Sequence, residues 1–322
     1  MQTLLRDELL KKIVTPALSD EVVNGLFRYQ RVNNALYSRF VELLGEKEMY
    51  PFLPVSFFKS HEIKSGDWTA ETWFESSGTT GQISSRHLVR DLKWYLINAE
   101  RGFTRFYGDP RNWCILGLLP NYLERGHSSL VAMVNHLAGL STHPESGFFL
   151  HDFERLRDTL LRCRKAGIPV LLLGVTYALL DFAEKFPMHL GGVTIMETGG
   201  MKGRRKEMTR TEVHQVLMEA FGVDCIHSEY GMTELFSQAY ARGGTIFAPS
   251  DTMKVVATEI NDPFCAVQPG KTGVLNIIDL ANLDTVSFIQ TEDIGRVHPD
   301  GSFEVLGRLD AAELRGCNLM VE

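Results

Sequence analysis

The spacing of apolar residues divides the chain into three stretches. In the first 50 residues apolar side chains recur at helical spacings, as at Leu5, Leu9 and Ile13, which predicts amphipathic helices. From about residue 70 short apolar runs alternate with amphipathic stretches, and after about residue 245 only short strand-like runs follow one another. The pattern predicts a helical region over 1–70, an α/β core over 71–244 and a β-rich region over 245–322.

Within the middle stretch, runs typical of strands alternate with runs typical of helices. The predicted strands cover 112–120, 169–175, 192–200 and 223–231, and the predicted helices cover 128–140, 177–186 and 209–222. The last stretch adds predicted strands over 253–260, 272–279, 285–293 and 301–307. This alternation implies an α/β fold with a largely parallel sheet, whose ligands collect in the loops where strands end.

Composition is that of a globular protein, and the net charge argues against two classes of partner. The 322 residues are 44% hydrophobic and 23% charged, with a net charge of −7. An acidic chain is a poor match for nucleic acid or an anionic membrane surface. The first 14 residues mix charged and apolar side chains, so no signal-peptide core is expected, and no apolar run is long enough for a membrane span.

Cysteine usage favours a reducing cytoplasm. The five cysteines are widely spaced and include no CxxC pair, which argues against a disulfide framework and against a zinc site. Four of them fall within strand or helix patterns and are interpreted as core residues: Cys114, Cys163, Cys225 and Cys265. The fifth, Cys317, lies two residues after Arg315. It is either another small buried hydrophobic residue or a thiol whose pKa a nearby cation lowers.

One stretch, 75-ESSGTTGQISSRHL-88, concentrates small hydroxyls and glycines. Its centre consists of Ser76, Ser77, Gly78, Thr79, Thr80 and Gly81. Glycines let backbone N–H groups turn toward a ligand and hydroxyls add donors, so such a loop could wrap phosphate oxygens. It is not a Walker loop, because no Gly-Lys-Ser/Thr follows, and an ordinary Ser/Gly turn is the alternative.

A second loop, 198-TGGMKG-203, follows a predicted strand. Gly199 and Gly200 would allow a flat base to lie against the backbone, with Lys202 as a nearby cation. A plain strand-to-helix turn with a solvated lysine fits the same residues.

A third loop, 227-HSEYGMTE-234, brings together an aromatic ring, a glycine, a hydroxyl and a carboxylate. The pair Tyr230–Gly231 could pack against a base, Thr233 could donate to a phosphate and Glu234 could ligate Mg²⁺. The alternative is a solvated turn in which Thr233 caps a helix. His227 is interpreted first as a satisfied structural histidine and second as a titrating group.

Taken in order, these motifs resemble those of the adenylate-forming superfamily, which includes acyl-CoA synthetases, peptide-synthetase adenylation domains and luciferases. SSGTTG resembles the phosphate loop, TGGMK the adenine-backing segment and YGMTE the Tyr-Gly-x-Thr-Glu motif. TEDIGRV, with Asp293, resembles the segment that holds the ribose hydroxyls, and GRLD, with Arg308, resembles the motif before the hinge. With PFLPVSFFKSHEI at 51–63 and the closing LRGCNLM, the chain is similar to the LuxE-type acyl-protein synthetases.

The resemblance implies the large N-terminal domain of the adenylate-forming fold, without the mobile C-terminal domain that carries the superfamily's catalytic Lys. It implies ATP and Mg²⁺ as cofactors, with Glu234 as the metal ligand. A carboxylic acid, in this branch a fatty acid, and ATP would give an acyl-adenylate. The acyl group would then move to a Cys near the C-terminus, here Cys317, and on to a partner protein such as a reductase or a carrier protein.

The chain departs from the superfamily pattern at two places. Ser84 or Ser85 lies where many members carry a Lys after the phosphate loop, and Glu292 replaces the usual Gly of the ribose segment. The resemblance includes no counterpart of the mobile domain's catalytic Lys, and the adenylation step is therefore expected to need another cation. Lys202 is our first candidate for it, followed by two alternatives, Lys59 and Arg86.

Three other functions remain open at this point. The chain could be a shortened coenzyme A ligase of the aryl- or phenylacetate type. It could be an acyl-adenylate transferase acting on a carrier-protein phosphopantetheine, with Cys317 uninvolved. It could also be a non-catalytic subunit that binds nucleotide or acyl-AMP, although the presence of Glu234, Asp293 and Arg308 together argues against this.

Overall fold

The computed structural model describes residues 2–14, 18–45, 47–76, 83–120, 126–199 and 208–309, with side chains from residue 6 onward. Several residues singled out from the sequence lie outside these ranges: Ser77, Gly78, Thr79, Thr80, Gly81, Gly200, Lys202 and Cys317. Their proposed roles stay predictions.

Most helices begin after a Ser, Thr, Asn or Asp whose side chain caps the first turn, as propensities favour; the helix preceded by Val175 is an exception. In the described ranges they are α1 (Gln2–Val14), α2 (Asp20–Asn33), α3 (Ala35–Leu44), α4 (Leu92–Tyr107), α5 (Ser129–Leu140), α6 (Phe153–Lys165), α7 (Thr176–Lys185) and α8 (Arg210–Phe221). Thr209 and Glu212 form a reciprocal capping box at the start of α8, and Gly222 ends it with φ of 57°. The predicted stop at Gly222 is confirmed.

The strands form one long twisted sheet and a separate hairpin. They are β1 (Leu53–Pro54), β2 (Thr72–Glu75), β3 (Arg86–Val89), β4 (Cys114–Leu118), β5 (Gly147–Phe148), β6 (Val170–Val175), β7 (Val193–Thr198), β8 (His227–Tyr230), β9 (Ala239–Ala241), β10 (Ile246–Pro249), β11 (Met253–Thr258), β12 (Thr272–Asp279), β13 (Phe288–Val297) and β14 (Phe303–Arg308). The long sheet has the order β11-β12-β13-β14-β10-β9-β8-β7-β6-β4-β5, with β1 beside β13, and β2 pairs with β3 as the hairpin.

The sheet is parallel in one half and, apart from the short parallel pair β1–β13, antiparallel in the other. Strands β4 to β8 run parallel, whereas β8 to β14 pair antiparallel. The predicted α/β class is confirmed. The β-rich region after residue 245 is continuous with the central sheet, because β10 pairs with both β9 and β14.

The core follows the apolar runs that predicted the parallel strands. Every residue of β4 and of β6 is buried, as expected when helices cover a parallel sheet. The N-terminal helices are fastened to the β-rich region by polar contacts. The Arg6 guanidinium donates to both carboxylate oxygens of Asp284, and Gln30 Nε2 donates to the backbone oxygen of Asn282 at 3.0 Å. None of the helices in the described ranges is long and apolar enough to cross a membrane.

The prediction that four cysteines belong to the core is half right. Cys114 and Cys163 are buried, but Cys225 and Cys265 are exposed. The predicted strand over 223–231 begins only at His227, which leaves Cys225 in the loop after α8. Cys265 lies in the loop between β11 and β12.

Candidate active site

Two of the predicted loops emerge side by side at the carboxyl edge of the parallel strands. Strands β7 and β8 are neighbours, with Thr198 opposite Glu229 in their register. The loop that starts at Gly199 and the loop that starts at Gly231 therefore leave the sheet at the same edge. This is the edge where α/β sheets bind their ligands.

Tyr230, Asp293 and Arg308 form a connected group at this edge. The Tyr230 hydroxyl donates to Asp293 Oδ2 at 2.7 Å, and Arg308 lies opposite Asp293 in the β13–β14 ladder, with Nε 3.6 Å from Oδ1. Burial raises the pKa of Asp293, against the Tyr230 hydrogen bond and the Arg308 charge, which lower it. Glu292, the departure noted in the sequence, accepts from Arg308 Nη2 at 3.1 Å and so helps to hold this arginine.

The segment after Tyr230 is a turn whose backbone is held from two sides. His87 Nδ1 lies 2.9 Å from the carbonyl oxygen of Thr233, and Asn282 Nδ2 donates to the carbonyl of Glu234 at 2.8 Å. The next element is the strand β9, so the alternative in which Thr233 caps a helix is wrong. Burial lowers the pKa of His87 to about 4. The neutral ring can then donate through Nδ1 and accept from the Thr285 hydroxyl through Nε2.

The Glu234 carboxyl lies inside the molecule. Its residue is only 6% exposed, and burial raises its pKa. A hydrogen bond from Ser85 and the positive charges of Lys59 and Arg308 act in the opposite direction. Of the cations considered from the sequence, Lys59 therefore lies near enough to Glu234 for its charge to lower the pKa of that carboxyl. The Arg86 guanidinium instead lies over the Trp73 ring, 4.3 Å from its centroid.

The ends of the predicted phosphate loop are joined beside Glu234. Ser76 N donates to the carbonyl of Ser85 at 3.1 Å, and Ser85 N donates to Ser76 Oγ at 2.9 Å. This pair extends the β2–β3 hairpin by one step and closes the base of the loop. Ser85 lies near enough to Glu234 to lower the pKa of its carboxyl, so the loop base and the carboxyl are adjacent.

Sequence reasoning missed two buried acids at the same edge, Glu197 and Glu229. Glu197 accepts from Thr176 Oγ1 at 2.9 Å and from Arg210 Nε at 3.2 Å. Burial works against its charge, but His214 and Arg210 hold its pKa below the usual range. Among the described residues Glu229 accepts a hydrogen bond from the Thr198 hydroxyl, and burial, with the nearby Glu197 charge, raises its pKa to about 7. The signal was available, because Glu229 directly precedes Tyr230 in the stretch already singled out.

The two described glycines of the site serve different purposes. Gly199 has a φ of 71°, a left-handed conformation that suits the turn after β7. At Gly231 the requirement is space, since a Cβ atom there would lie 2.5 Å from Glu229 Oε1. His227 is a satisfied structural histidine, as first interpreted, because its Nδ1 lies 3.0 Å from the Tyr107 hydroxyl.

The donor set fits the cofactors that the resemblance implies. Mg²⁺ is held in many nucleotide sites by one or two carboxylates and the substrate phosphates, and Glu234 offers one buried carboxylate beside the loop base. An adjacent divalent cation would offset the cost of burying that charge. Asp293 offers acceptors for ribose hydroxyls, with Tyr230 and Arg308 fixing its orientation.

Most of the chain is similar in sequence to known proteins. The family model for the acyl-protein synthetase LuxE matches residues 28–322. The long-chain-fatty-acid–luciferin-component ligase of Vibrio harveyi is 24% identical, over 94% of this chain and 86% of its own length.

Solved structures of adenylate-forming enzymes share the fold. A 2-hydroxyisobutyryl-CoA ligase in the postadenylation state is 14% identical, with a TM-score of 0.65 over 92% of this chain and 69% of its own. ATP-bound MatB from Rhodopseudomonas palustris is 15% identical, with a TM-score of 0.55 over 73% of this chain. The aligned part spans only 47% of MatB. The fold is that of the adenylate-forming enzymes, and the chain belongs to the LuxE family of acyl-protein synthetases.

Proposed function

We propose that this chain activates a fatty acid with ATP as an acyl-adenylate, loads the acyl group onto Cys317 and passes it to a partner protein. Family membership supports both steps. The name of the Vibrio harveyi relative supports a long-chain fatty acid as the substrate. The observation that carries the first step is the convergence of Glu234, the Tyr230–Asp293–Arg308 group and the base of the 76–85 loop.

Different residues at this edge bind the phosphates, the ribose and the adenine of ATP. The Ser76–Gly81 loop takes the phosphates of ATP, with its base fixed by the Ser76–Ser85 pair. Asp293 accepts from the ribose hydroxyls. The backbone at Gly199–Gly200 lies along one side of the adenine, and the Tyr230–Gly231 segment bounds the other.

In the first step an oxygen of the fatty-acid carboxylate attacks the α-phosphorus of ATP. The bond between that phosphorus and the β-phosphate bridging oxygen breaks, and pyrophosphate leaves with the electron pair. The protein brings two anions together, so its task is to position them and to offset their charge. Lys59 and Arg308 are the described cations that act near Glu234, and Lys202 is proposed to add a third.

Glu234 is proposed to hold Mg²⁺, which would neutralise phosphate charge when bound. In the second step the Cys317 thiolate attacks the acyl carbonyl, the thioester bond forms and AMP leaves. A thiolate suits this step because it is far more nucleophilic near neutral pH than a hydroxyl. We place the activity in the cytoplasm, where ATP and reduced thiols are available.

Exchange of labelled pyrophosphate into ATP, in the presence of a panel of fatty and aryl acids, tests the first step. We expect acid-dependent exchange that is strongest with long-chain fatty acids. Glu234→Gln should lower the exchange rate by on the order of 100-fold, because it removes the carboxylate proposed to hold Mg²⁺ beside the reacting phosphates. Glu75→Gln is the matched control, since Glu75 is an exposed acid beside the same loop.

Two results would count against the proposal. Absence of exchange with every acid, in protein shown to be folded, would leave a non-catalytic nucleotide-binding role. Unchanged exchange in Glu234→Gln would remove Glu234 from the site while keeping the activity.

A further inference from the structure

Two buried thiols and one carboxylate meet at the opposite edge of the sheet. Cys114 is the first residue of β4 and Cys163 lies on α6, with their sulfur atoms 3.9 Å apart. A carboxylate oxygen of Glu145 lies within 4.8 Å of both sulfur atoms. The thiols are 0% and 1% exposed, whereas Glu145 is only partly buried.

The backbone holds these three side chains in place. Cys114 N donates to the carbonyl of Pro169 at 2.8 Å, which fixes the start of β4 beside the start of β6. Ile115 N donates to Ser146 Oγ at 3.0 Å, so the turn that carries Glu145 is fastened to β4. The carbonyl of Cys163 accepts from Ile168 N at 3.0 Å where α6 leads into β6. Three separate segments of the chain thus supply one group each.

The sulfur separation suits a shared metal better than a disulfide. Two thiolates bound to zinc at about 2.3 Å in a tetrahedral site lie roughly 3.8 Å apart. A disulfide needs a sulfur–sulfur distance of about 2.05 Å, well short of the 3.9 Å between the two sulfur atoms. Two thiolates and a carboxylate are also a ligand set that zinc accepts.

We propose that Cys114, Cys163 and Glu145 bind one thiophilic divalent cation of the zinc class, with water as a fourth ligand on the partly exposed Glu145 side. No oxidation is involved: each thiol loses its proton to solvent and each sulfur forms one bond to the metal. The site lies at the amino ends of the strands, away from the adenylation edge, so it is structural and does not rest on the proposed function.

Electrostatics set the conditions for loading this site. Burial raises the pKa of Cys114 to about 12, with the neighbouring Cys163 adding to the effect and the Glu145 charge acting in the same direction. Burial also raises the pKa of Cys163. Without metal the thiols stay protonated, and a divalent cation must displace both protons. Because the thiols are enclosed, the metal enters as the chain folds or during local opening.

The test uses the full chain with its other cysteines removed, C225S/C265S/C317S, refolded under reducing conditions with Co²⁺. We expect one Co²⁺ per chain, two protons released for each ion bound, a near-ultraviolet sulfur-to-cobalt charge-transfer band and visible bands of tetrahedral cobalt. Adding Cys163→Ser should weaken Co²⁺ binding at least tenfold and halve the charge-transfer band.

A second measurement guards against variants that fail to fold. Glu145→Gln changes a partly exposed turn residue, so it should fold and keep the charge-transfer band while binding Co²⁺ less tightly. In the otherwise unaltered chain, Zn²⁺ should raise the melting temperature, and Glu145→Gln should reduce that rise. Glu184→Gln, an exposed acid on α7, is the control that should leave the rise unchanged.

Three results would overturn the proposal. One is the absence of cobalt bands in protein whose circular dichroism shows correct refolding. Another is a band that survives replacement of both Cys114 and Cys163. The third is formation of a Cys114–Cys163 disulfide in air by protein that binds no metal under reducing conditions, which would identify a redox pair instead.

Discussion

At the level of single residues, the site is distinguished by how its buried carboxyls are compensated. Glu197 and Glu229 occupy neighbouring strands and are both buried, yet their pKa values move in opposite directions. Glu197 has Arg210 and His214 beside it, whereas the partner of Glu229 within the described part of the chain is the uncharged Thr198 hydroxyl. The neutral form of Glu229 is therefore stabilised near neutral pH, next to the Tyr230–Gly231 segment.

The raised pKa of Glu229 predicts a specific pH dependence of stability. Between the usual value of 4.5 and the folded value of about 7, the folded chain binds more protons than the unfolded chain, so stability falls as pH rises. Glu229→Gln removes the titrating carboxyl, so the variant does not lose this stability as pH rises. The free energy of unfolding of Glu229→Gln, relative to the original chain, should rise by on the order of 3 kcal/mol between pH 5 and pH 8.

Urea unfolding of both chains at the two pH values measures this difference. The contributions of other buried acids, such as Asp279 and Asp293, are present in both chains and cancel. Glu219→Gln, on the exposed face of α8, is the control and should show no such change. If the free energies of unfolding of Glu229→Gln and of the original chain differed by the same amount at both pH values, Glu229 would be ionised in the folded state.

At the level of elements, Asp279 joins the end of β12 to the segment that follows Glu234. Its Oδ2 accepts from the backbone N–H groups of Phe236 and Ser237, at 2.7 and 3.0 Å. Its Oδ1 accepts from the Ser237 hydroxyl at 2.6 Å and from Ala281 N at 3.0 Å. One fully buried carboxylate thus accepts from four donors, three in the segment after Glu234 and one in the turn after β12.

Replacing Asp279 should therefore destabilise the whole domain. Asp279→Ala leaves buried N–H groups without partners, each costing about 1–3 kcal/mol, so we expect a loss of at least 3 kcal/mol in the free energy of unfolding. Chemical denaturation measures the loss. Asp300→Ala is the control: Asp300 also accepts from a backbone N–H and a hydroxyl, both of Ser302, but it is exposed. Equal losses of stability in the two variants would mean that burial does not make the Asp279 hydrogen bonds more important than the exposed ones of Asp300.

The sequence predicted most elements of the central sheet, because their apolar runs and helical periods are local properties. It did not predict which strands are neighbours. The pairing of β10 with β14 and the register that sets Asp293 opposite Arg308 depend on contacts between distant segments. For the same reason Asp293 and Arg308 entered as site residues only through family resemblance, and the compensation of Glu197 by Arg210 and His214 was invisible. The meeting of Cys114 and Cys163, 49 positions apart, could not be inferred from spacing.

At the level of the whole molecule, the two edges of the parallel strands carry different chemistry. The carboxyl edge gathers Glu229, Tyr230 and the loops proposed for ATP, while the amino edge gathers the thiols of Cys114 and Cys163. The antiparallel half of the sheet completes the carboxyl edge by contributing Asp293 and Arg308. A single continuous sheet therefore sets the relative positions of the groups proposed to hold the nucleotide.

The proposed reaction ends with a thioester on Cys317, and intact-protein mass spectrometry after incubation with ATP, Mg²⁺ and a long-chain fatty acid reads this directly. We expect the original chain and the exposed-cysteine control Cys265→Ala to gain the mass of one acyl group, which hydroxylamine removes. Cys317→Ala should gain none while keeping acid-dependent pyrophosphate exchange. An acyl group retained at full yield by Cys317→Ala would contradict the thioester on Cys317, and exchange without any acylation of the original chain would contradict self-acylation altogether.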